Sequence, residues 1–213
     1  MTLKFLVGIV GLTLNKVMEK IVAITGGIGS GKSTALKILD KLGYKSFNAD
    51  KIYQDLLLEE DFVQEICNLF SIEPIYDNGK KRLNKTAISS IVFKDELALK
   101  RLNSITHPKI MDRMISLAND CNGIVFCEVP LLYEGGFENL FDFVIVLTRN
   151  DEIRFNSVVK RDGKNFDQVK QIAKNQFNYN KIEQNEHTLI IENDGDEVAL
   201  AEKIKVVVKK IKN

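Results

Sequence analysis

The chain has 213 residues, 45% hydrophobic and 28% charged, with a net charge of +1. That composition is ordinary for a soluble globular protein, and a chain of this size buries roughly 70% of its unfolded surface, enough for one sizeable core. The small net charge leaves no global electrostatic footprint for nucleic acid or an acidic membrane; three cysteines (Cys67, Cys121, Cys127) without Cys-x-x-Cys spacing argue against a disulfide framework or zinc site and for a reducing cytoplasm.

Residues 1–17 stand apart. Phe5 to Leu14 reads FLVGIVGLTL, mostly apolar but short of the ~20 residues a transmembrane helix needs. No small-residue cleavage site follows it. Met18 immediately precedes EKIVAITGG, so residues 1–17 are read as an extension, or as the product of a start assigned too far upstream, and 18–213 as the working domain; a membrane anchor is the lesser reading.

Lys20 to Thr25 (KIVAIT) is an apolar run that stops at glycines, the pattern of a buried parallel strand. Gly26 to Gly31 is glycine-rich, and Lys32 to Leu42 carries apolar residues at helical spacing up to Gly43, a normal helix stop. Tyr44 to Phe47 is a second candidate strand, followed by Asp50. Lys51 to Asn122 is mostly helical in pattern, with interruptions predicted at EPIYDNGKK around Pro74 and at Thr106-His107-Pro108. Strands are then expected at Gly123–Val129, Phe141–Thr148 and Thr188–Ile191. Helices are expected over Asp151–Lys160, from the Asp162–Asn165 turn to about Tyr179, and over Asp196–Lys212.

Strands alternating with helices predict an α/β fold: a five-stranded parallel sheet with helices on both faces in three layers. The helical stretch between the second and third strands is too long for a plain crossover. It is read as an inserted substrate-binding subdomain over about 52–122. The lysines of the last helix (Lys203, Lys205, Lys209, Lys210, Lys212) are read as a solvated face, since no aromatic residues interleave with them. Cys127, in an apolar run, is read as core and not as a catalytic thiol.

Gly26-Gly27-Ile28-Gly29-Ser30-Gly31-Lys32-Ser33 fits G-x-x-x-x-G-K-[ST] at every fixed position, between a strand and an amphipathic helix as that motif requires. Glycines let the backbone wrap around phosphate, and the N–H groups of Gly27, Gly29, Ser30, Gly31, Lys32, Ser33 and Thr34 form the candidate nest at a helix N-terminus. Lys32 can reach the β- and γ-phosphates, and the Ser33 hydroxyl can join a Mg²⁺ shell. ATP with Mg²⁺ is therefore the expected ligand. A guanine-reading Asn-Lys-x-Asp is absent: Asn84-Lys85-Thr86-Ala87 and Asn180-Lys181-Ile182-Glu183 both lack the aspartate. The chain is short for a motor, so a small-molecule kinase is favoured.

Beyond the loop, the sequence resembles the dephospho-CoA kinase family. The resemblance rests on IVAITGGIGSGKST (Ile21–Thr34), Asn48-Ala49-Asp50, Ile91-Val92-Phe93, His107-Pro108-Lys109-Ile110 and Pro130-Leu131-Leu132-Tyr133-Glu134. Lys160-Arg161-Asp162-Gly163, Gln176 and Asn193-Asp194-Gly195 continue it in family order, over roughly residues 20 to 200. It implies the P-loop kinase fold with a lid over about 155–180, ATP and dephospho-CoA as substrates, a cytoplasmic monomer or small homo-oligomer, and no nucleic-acid or membrane partner. The chain departs from the family pattern where Asn48 stands for aspartate, Glu128 for a frequent aspartate, and Asn84-Lys85 for Asp-Arg. Arg154 and Ser157 stand for glutamine and arginine, and His187-Thr188 for Ala-Asp.

The resemblance puts the catalytic roles on Asp50, Lys32 and Arg161. Asp50 would orient the acceptor 3′-hydroxyl and accept its proton, which a weak base can do because phosphoryl transfer is loose; it can equally be a helix N-cap. Arg161 would neutralise charge on the moving phosphoryl group, or simply end a solvated helix; Lys160 is a lesser candidate. Glu128 would hold a Mg²⁺-bound water beside Ser33, or be a solvated strand-end acid. Glu134 is read as functional or structural, and His107 as a hydrogen-bonded imidazole at a helix break. Tyr133 and Phe137 can line a pocket or belong to the core. The rival readings are another P-loop kinase, of adenylate or shikimate type, and a nucleotide-sensing module without transfer activity.

Overall fold

A computed structural model describes residues 19–213; the expected extension at 1–17 lies outside the described residues. Five strands form one parallel sheet: β1 (Lys20–Thr25), β2 (Lys45–Asn48), β5 (Ile124–Glu128), β6 (Phe143–Thr148) and β7 (Thr188–Glu192). Their order is β2-β5-β1-β6-β7, so the glycine-rich loop leaves the central strand. Helices α1 (Lys32–Lys41) and α8 (Glu197–Lys212) cover one face. The other is covered by α2 (Ala49–Leu56), α3 (Glu60–Phe70), α4 (Lys85–Val92) and α5 (Glu96–Asn119). Helices α6 (Asp151–Asp162) and α7 (Phe166–Lys174) connect β6 to β7.

Strand periodicity explains the two cores. Successive side chains alternate between faces, so Val22, Ile24, Phe126, Ile145, Leu147, Leu189 and Ile191 pack with α1 and α8. Ala23, Val125, Cys127, Val144 and Val146 pack with the inserted helices. Burial on both faces is why these strands read as continuous apolar runs. The predicted second strand is shifted by one residue and ends at Asn48, which caps α2 by accepting from the backbone N–H of Lys51 at 2.9 Å. The N-cap role considered for Asp50 thus belongs to Asn48.

Of the two interruptions expected over the inserted segment, one is present and one is not. EPIYDNGKK is an antiparallel hairpin, β3 (Ile75–Asp77) with β4 (Lys80–Arg82). Asn78 and Gly79 both have positive φ (49° and 76°), as a tight hairpin turn requires. The break predicted at Thr106-His107-Pro108 is absent, because α5 runs through Pro108 for 24 residues. Ala98, Leu102, Thr106, Ile110, Met114 and Ala118 form an unbroken i, i+4 stripe, all buried. Packing along that stripe outweighs the ~3 kcal/mol that an interior proline costs. The second helix predicted after Gly163 ends at Lys174, and a 3₁₀ turn at Tyr179–Lys181 follows.

The apolar stripe of α8 (Leu200, Ile204, Val208, Ile211) is buried, and the lysines named above lie on its exposed side. No helix of the described residues is long and apolar enough to cross a membrane. Phe126 is 0% exposed and meets Tyr44 edge-on, with ring centroids 5.3 Å apart. Phe126→Ala is expected to lower unfolding free energy by about 3–5 kcal/mol, read as a fall in the denaturant midpoint at unchanged m.

Candidate active site

All five parallel strands end on one edge of the sheet, where open α/β folds hold their ligands. Thr25, Asn48, Glu128, Thr148 and Glu192 are the last residues of β1, β2, β5, β6 and β7. The glycine-rich loop follows β1, Asp50 lies in the first turn after β2, Glu128 ends β5 with Pro130–Glu134 in the loop beyond it, and Asn193 follows β7.

The glycine loop is held from several directions. Gly31 sits at the N-cap of α1 with φ 100° and supplies no side-chain acceptor, so the first-turn N–H groups of α1 are left for a ligand. A Cβ at position 31 would lie 2.3 Å from Asn193 Nδ2, which donates to the Ser30 carbonyl at 2.9 Å. The Ile28 N–H donates to Gln176 Oε1 at 2.7 Å, and Arg154 Nη1 donates to the Ile28 carbonyl at 3.1 Å. The Arg154 side chain is 16% exposed and also pairs with Asp151 at 2.8 Å. Arg154, Gln176 and Asn193 therefore support the loop. Gln176 and Asn193 were visible in the sequence only as landmarks, and Arg154 only as a departure. The buried Ser30 hydroxyl has no partner among the described residues.

Lys32 folds over the loop, its ammonium donating to the carbonyls of Gly26 at 2.7 Å and Gly27 at 3.1 Å. Burial pulls its pKa below the usual 10.5, against the opposing pull of Glu128 and Asp50. A desolvated cation held by two carbonyls gains from meeting polyphosphate.

Glu128 is 4% exposed, not the solvated strand-end acid weighed above. Its Oε1 accepts from the Ser33 hydroxyl at 3.3 Å and its Oε2 from Asn48 Nδ2 at 2.7 Å. Ser33 and Glu128 thus form an adjacent pair of hard oxygen donors at the mouth of the loop. Such a pair fits Mg²⁺, which takes oxygen ligands, retains waters and shares substrate phosphates.

Just past the ends of β2 and β5 opens a cavity of about 200 Å³, whose lining includes Asp50, Tyr53, Thr106, His107, Met111 and Phe137. Asp50 is exposed in the first turn of α2. Burial lowers the pKa of His107 below 6.5, leaving a neutral imidazole at pH 7 edge-on to Phe137. Glu134 accepts from the Phe177 N–H at 2.9 Å, tying the loop after β5 to the segment after α7. Tyr133 stacks on Phe177, with centroids 5.0 Å apart. The buried Tyr179 hydroxyl lies 3.2 Å from both Thr25 Oγ1 and the Pro130 carbonyl, and burial raises its pKa to about 12. Burial likewise pushes the Cys127 thiol up to about 12, which keeps it protonated.

Among the described residues, Arg161 makes no hydrogen bond or ion pair with the loop. Its guanidinium is 63% exposed and makes a bidentate pair with the adjacent Asp162, at 2.6 and 2.9 Å. Glu128 and Lys32 both feel its charge. The structure thus gathers the loop, Lys32, Ser33, Glu128 and Asp50 at one edge, with Arg161 at the end of α6.

A parallel α/β sheet with a phosphate loop on its central strand, a basic side chain folded over that loop and a cavity walled by a carboxylate defines a P-loop small-molecule kinase. The family model described as dephospho-CoA kinase matches residues 20–198. Dephospho-CoA kinase from Fusobacterium nucleatum is 31% identical over 185 residues, covering 86% of this chain and 94% of that protein. The Chlorobaculum tepidum enzyme is 32% identical over 183 residues, covering 82% and 86%. Among solved structures, TT1252 from Thermus thermophilus superposes with a TM-score of 0.73 at 27% identity, covering 90% of this chain and 97% of that one. Dephospho-CoA kinase from Campylobacter jejuni gives 0.63 at 28%, covering 92% and 98%. The chain belongs to the dephospho-CoA kinase family.

The buried charge of Lys32 makes a testable contrast. Lys32→Met keeps the stem and removes a desolvated ammonium, so the ligand-free protein is expected to melt at an equal or higher temperature than wild type. The same variant should lose the thermal stabilisation that ATP gives wild type, because site residues are optimised for ligand and not for the empty fold. Differential scanning fluorimetry with and without ATP reads both.

Proposed function

We propose that the chain transfers the γ-phosphoryl group of ATP to the ribose 3′-hydroxyl of dephospho-CoA, giving CoA and ADP. The observation that carries the assignment of the acceptor side is the cavity walled by Asp50, opening on the same sheet edge as the phosphate loop. Family membership supplies the identity of the acceptor. The rival readings lack support of that kind.

The backbone N–H groups of Gly27, Gly29, Gly31, Lys32, Ser33 and Thr34 cradle the ATP phosphates, joined by that of Ser30 once it leaves the Gly27 carbonyl, and Lys32 leaves the Gly26 and Gly27 carbonyls to pair with the β- and γ-phosphates. Ser33 and Glu128 would hold Mg²⁺, directly or through water. When bound, that ion neutralises phosphate charge and orients the γ-phosphoryl group. Asp50 orients the acceptor hydroxyl and takes its proton. The mostly apolar cavity wall, with neutral His107, accommodates the rest of the acceptor and excludes water from it.

The inserted helices over about 52–122 act as the acceptor-binding subdomain and the segment about 155–180 as a lid. Arg161 exchanges Asp162 for the phosphoryl group when the lid closes. Arg154 and Gln176, both bonded to Ile28, couple that motion to the loop. The reaction belongs in the cytoplasm.

Mass spectrometry of a mixture of protein, ATP, Mg²⁺ and dephospho-CoA should show CoA appearing. Asp50→Ala is expected to slow this by roughly 10²–10⁴-fold, the usual worth of a positioned acid–base group, with ATP binding retained. A folded wild type that binds ATP and forms no CoA would remove the acceptor assignment.

A further inference from the structure

Asn48 and Glu128 are register partners on the neighbouring parallel strands β2 and β5. Their side chains therefore leave the sheet on the same face. Asn48 Oδ1 is committed to the N–H of Lys51 as the cap of α2, at 2.9 Å. Only the oxygen end of the amide can accept that bond, so the nitrogen end must face the other way. It donates to Glu128 Oε2 at 2.7 Å, the short distance of a charge-assisted bond. The remaining oxygen, Oε1, faces the Ser33 hydroxyl at 3.3 Å. The amide thus spans two fixed points, the helix backbone on one side and the buried acid on the other. Serine or aspartate at this position can cap α2, but neither offers an amide N–H to Glu128.

We propose that Asn48 is a positioning residue for phosphoryl transfer: it fixes the rotamer of Glu128 so that Oε1 faces Ser33 and the metal that accompanies the nucleotide. The inference rests on the metal role proposed for Glu128. Asn48 acts through Glu128: among the described residues its side chain bonds to Glu128 and to the Lys51 N–H, and to no residue of the phosphate loop. Partners that orient a metal-binding side chain typically contribute 10–100-fold in metal affinity or activity. The replacement of the family's aspartate by Asn48 is then part of how this site is built.

The test is nucleotide binding by titration calorimetry, with and without Mg²⁺, on the intact chain. Wild type, Asn48→Asp and Asn48→Ser are compared. Both variants keep a capping acceptor and both lose the amide donor. Metal-free ATP affinity is expected to stay at the wild-type value, while the gain on adding Mg²⁺ shrinks by roughly 10-fold. In turnover, kcat should fall with the KM for the acceptor unchanged. Asn48→Asp also sets two carboxylates side by side, so its melting temperature is followed; Asn48→Ser carries the test if the aspartate variant unfolds. A Mg²⁺ gain that folded variants retain in full overturns the proposal, whatever the melting temperatures show, since loss of a purely structural bond would lower stability without touching that gain. A wild type without any Mg²⁺ gain removes the metal role of Glu128 and this proposal with it. CoA formation by the same preparation would still leave the kinase assignment standing.

Discussion

The parallel register at the carboxyl edge of the sheet is the constraint on which the site depends. Ile24 on β1 aligns with Glu128 on β5, and Glu128 aligns with Asn48 on β2. Because all three strands run the same way, residues remote in sequence, such as Asn48 and Glu128, arrive side by side at the start of the loops that carry the chemistry. The fit of each strand's side chains to the two different cores holds that register. A slip of one residue would exchange the two cores and turn Glu128 to the opposite face. Phe126 and Cys127, buried on opposite faces beside Glu128, hold it against such a slip.

Once the register is fixed, the electrostatics follow from what the loop has to do. A glycine loop leaves N–H groups unpaired, and a helix N-terminus adds partial positive charge. Lys32 is drawn into that environment at a desolvation cost, with its carbonyl contacts, Glu128 and Asp50 as the offsetting terms. The Ser30 hydroxyl, without a partner among the described residues, is a further unmet polar group in the same loop. These features weaken the empty site and favour the occupied one, the usual direction of compromise at a functional centre. Arg161 shows the complementary arrangement. Its guanidinium is already bonded to Asp162, so the role proposed for it would require one carboxylate to be exchanged for a phosphoryl group of like charge.

Much of this was legible from local pattern. Strands buried on both faces announce themselves as apolar runs, and the phosphate loop has a fixed spelling between a strand and a helix. What escaped depended on contacts remote in sequence. Pro108 looked like a break because proline is unfavourable locally, yet the stripe from Ala98 to Ala118 was written in the sequence at intervals of four. Weighing that stripe against one proline would have preserved the helix. The hairpin escaped because its strands are three residues long and its second strand, Lys80-Lys81-Arg82, is wholly charged; Asn78-Gly79 was the available turn signal. Gln176 and Arg154 could not be assigned to the loop from spacing, since their partner Ile28 is more than 120 residues away.

The departures from the family pattern carry a wider argument. Read one at a time in the sequence, Asn48, Arg154 and Ser157 looked like lost functional groups. In the fold each has a partner that suits it. Asn48 offers an N–H to a buried acid that an aspartate could not offer. Arg154 reaches the Ile28 carbonyl and stacks its guanidinium over Phe155, 4.5 Å from the ring centroid. The Ser157 hydroxyl accepts from Arg149 at 3.3 Å, so a guanidinium comes to position 157 from the end of β6 even though the residue at 157 is not an arginine. A polar substitution in a buried site is costly when its former partner is left unmet, and far less so when donor and acceptor change together. Whether a departure is a loss or an exchange is therefore a property of the pair, and the pair becomes visible only when the strands and helices have brought its members together.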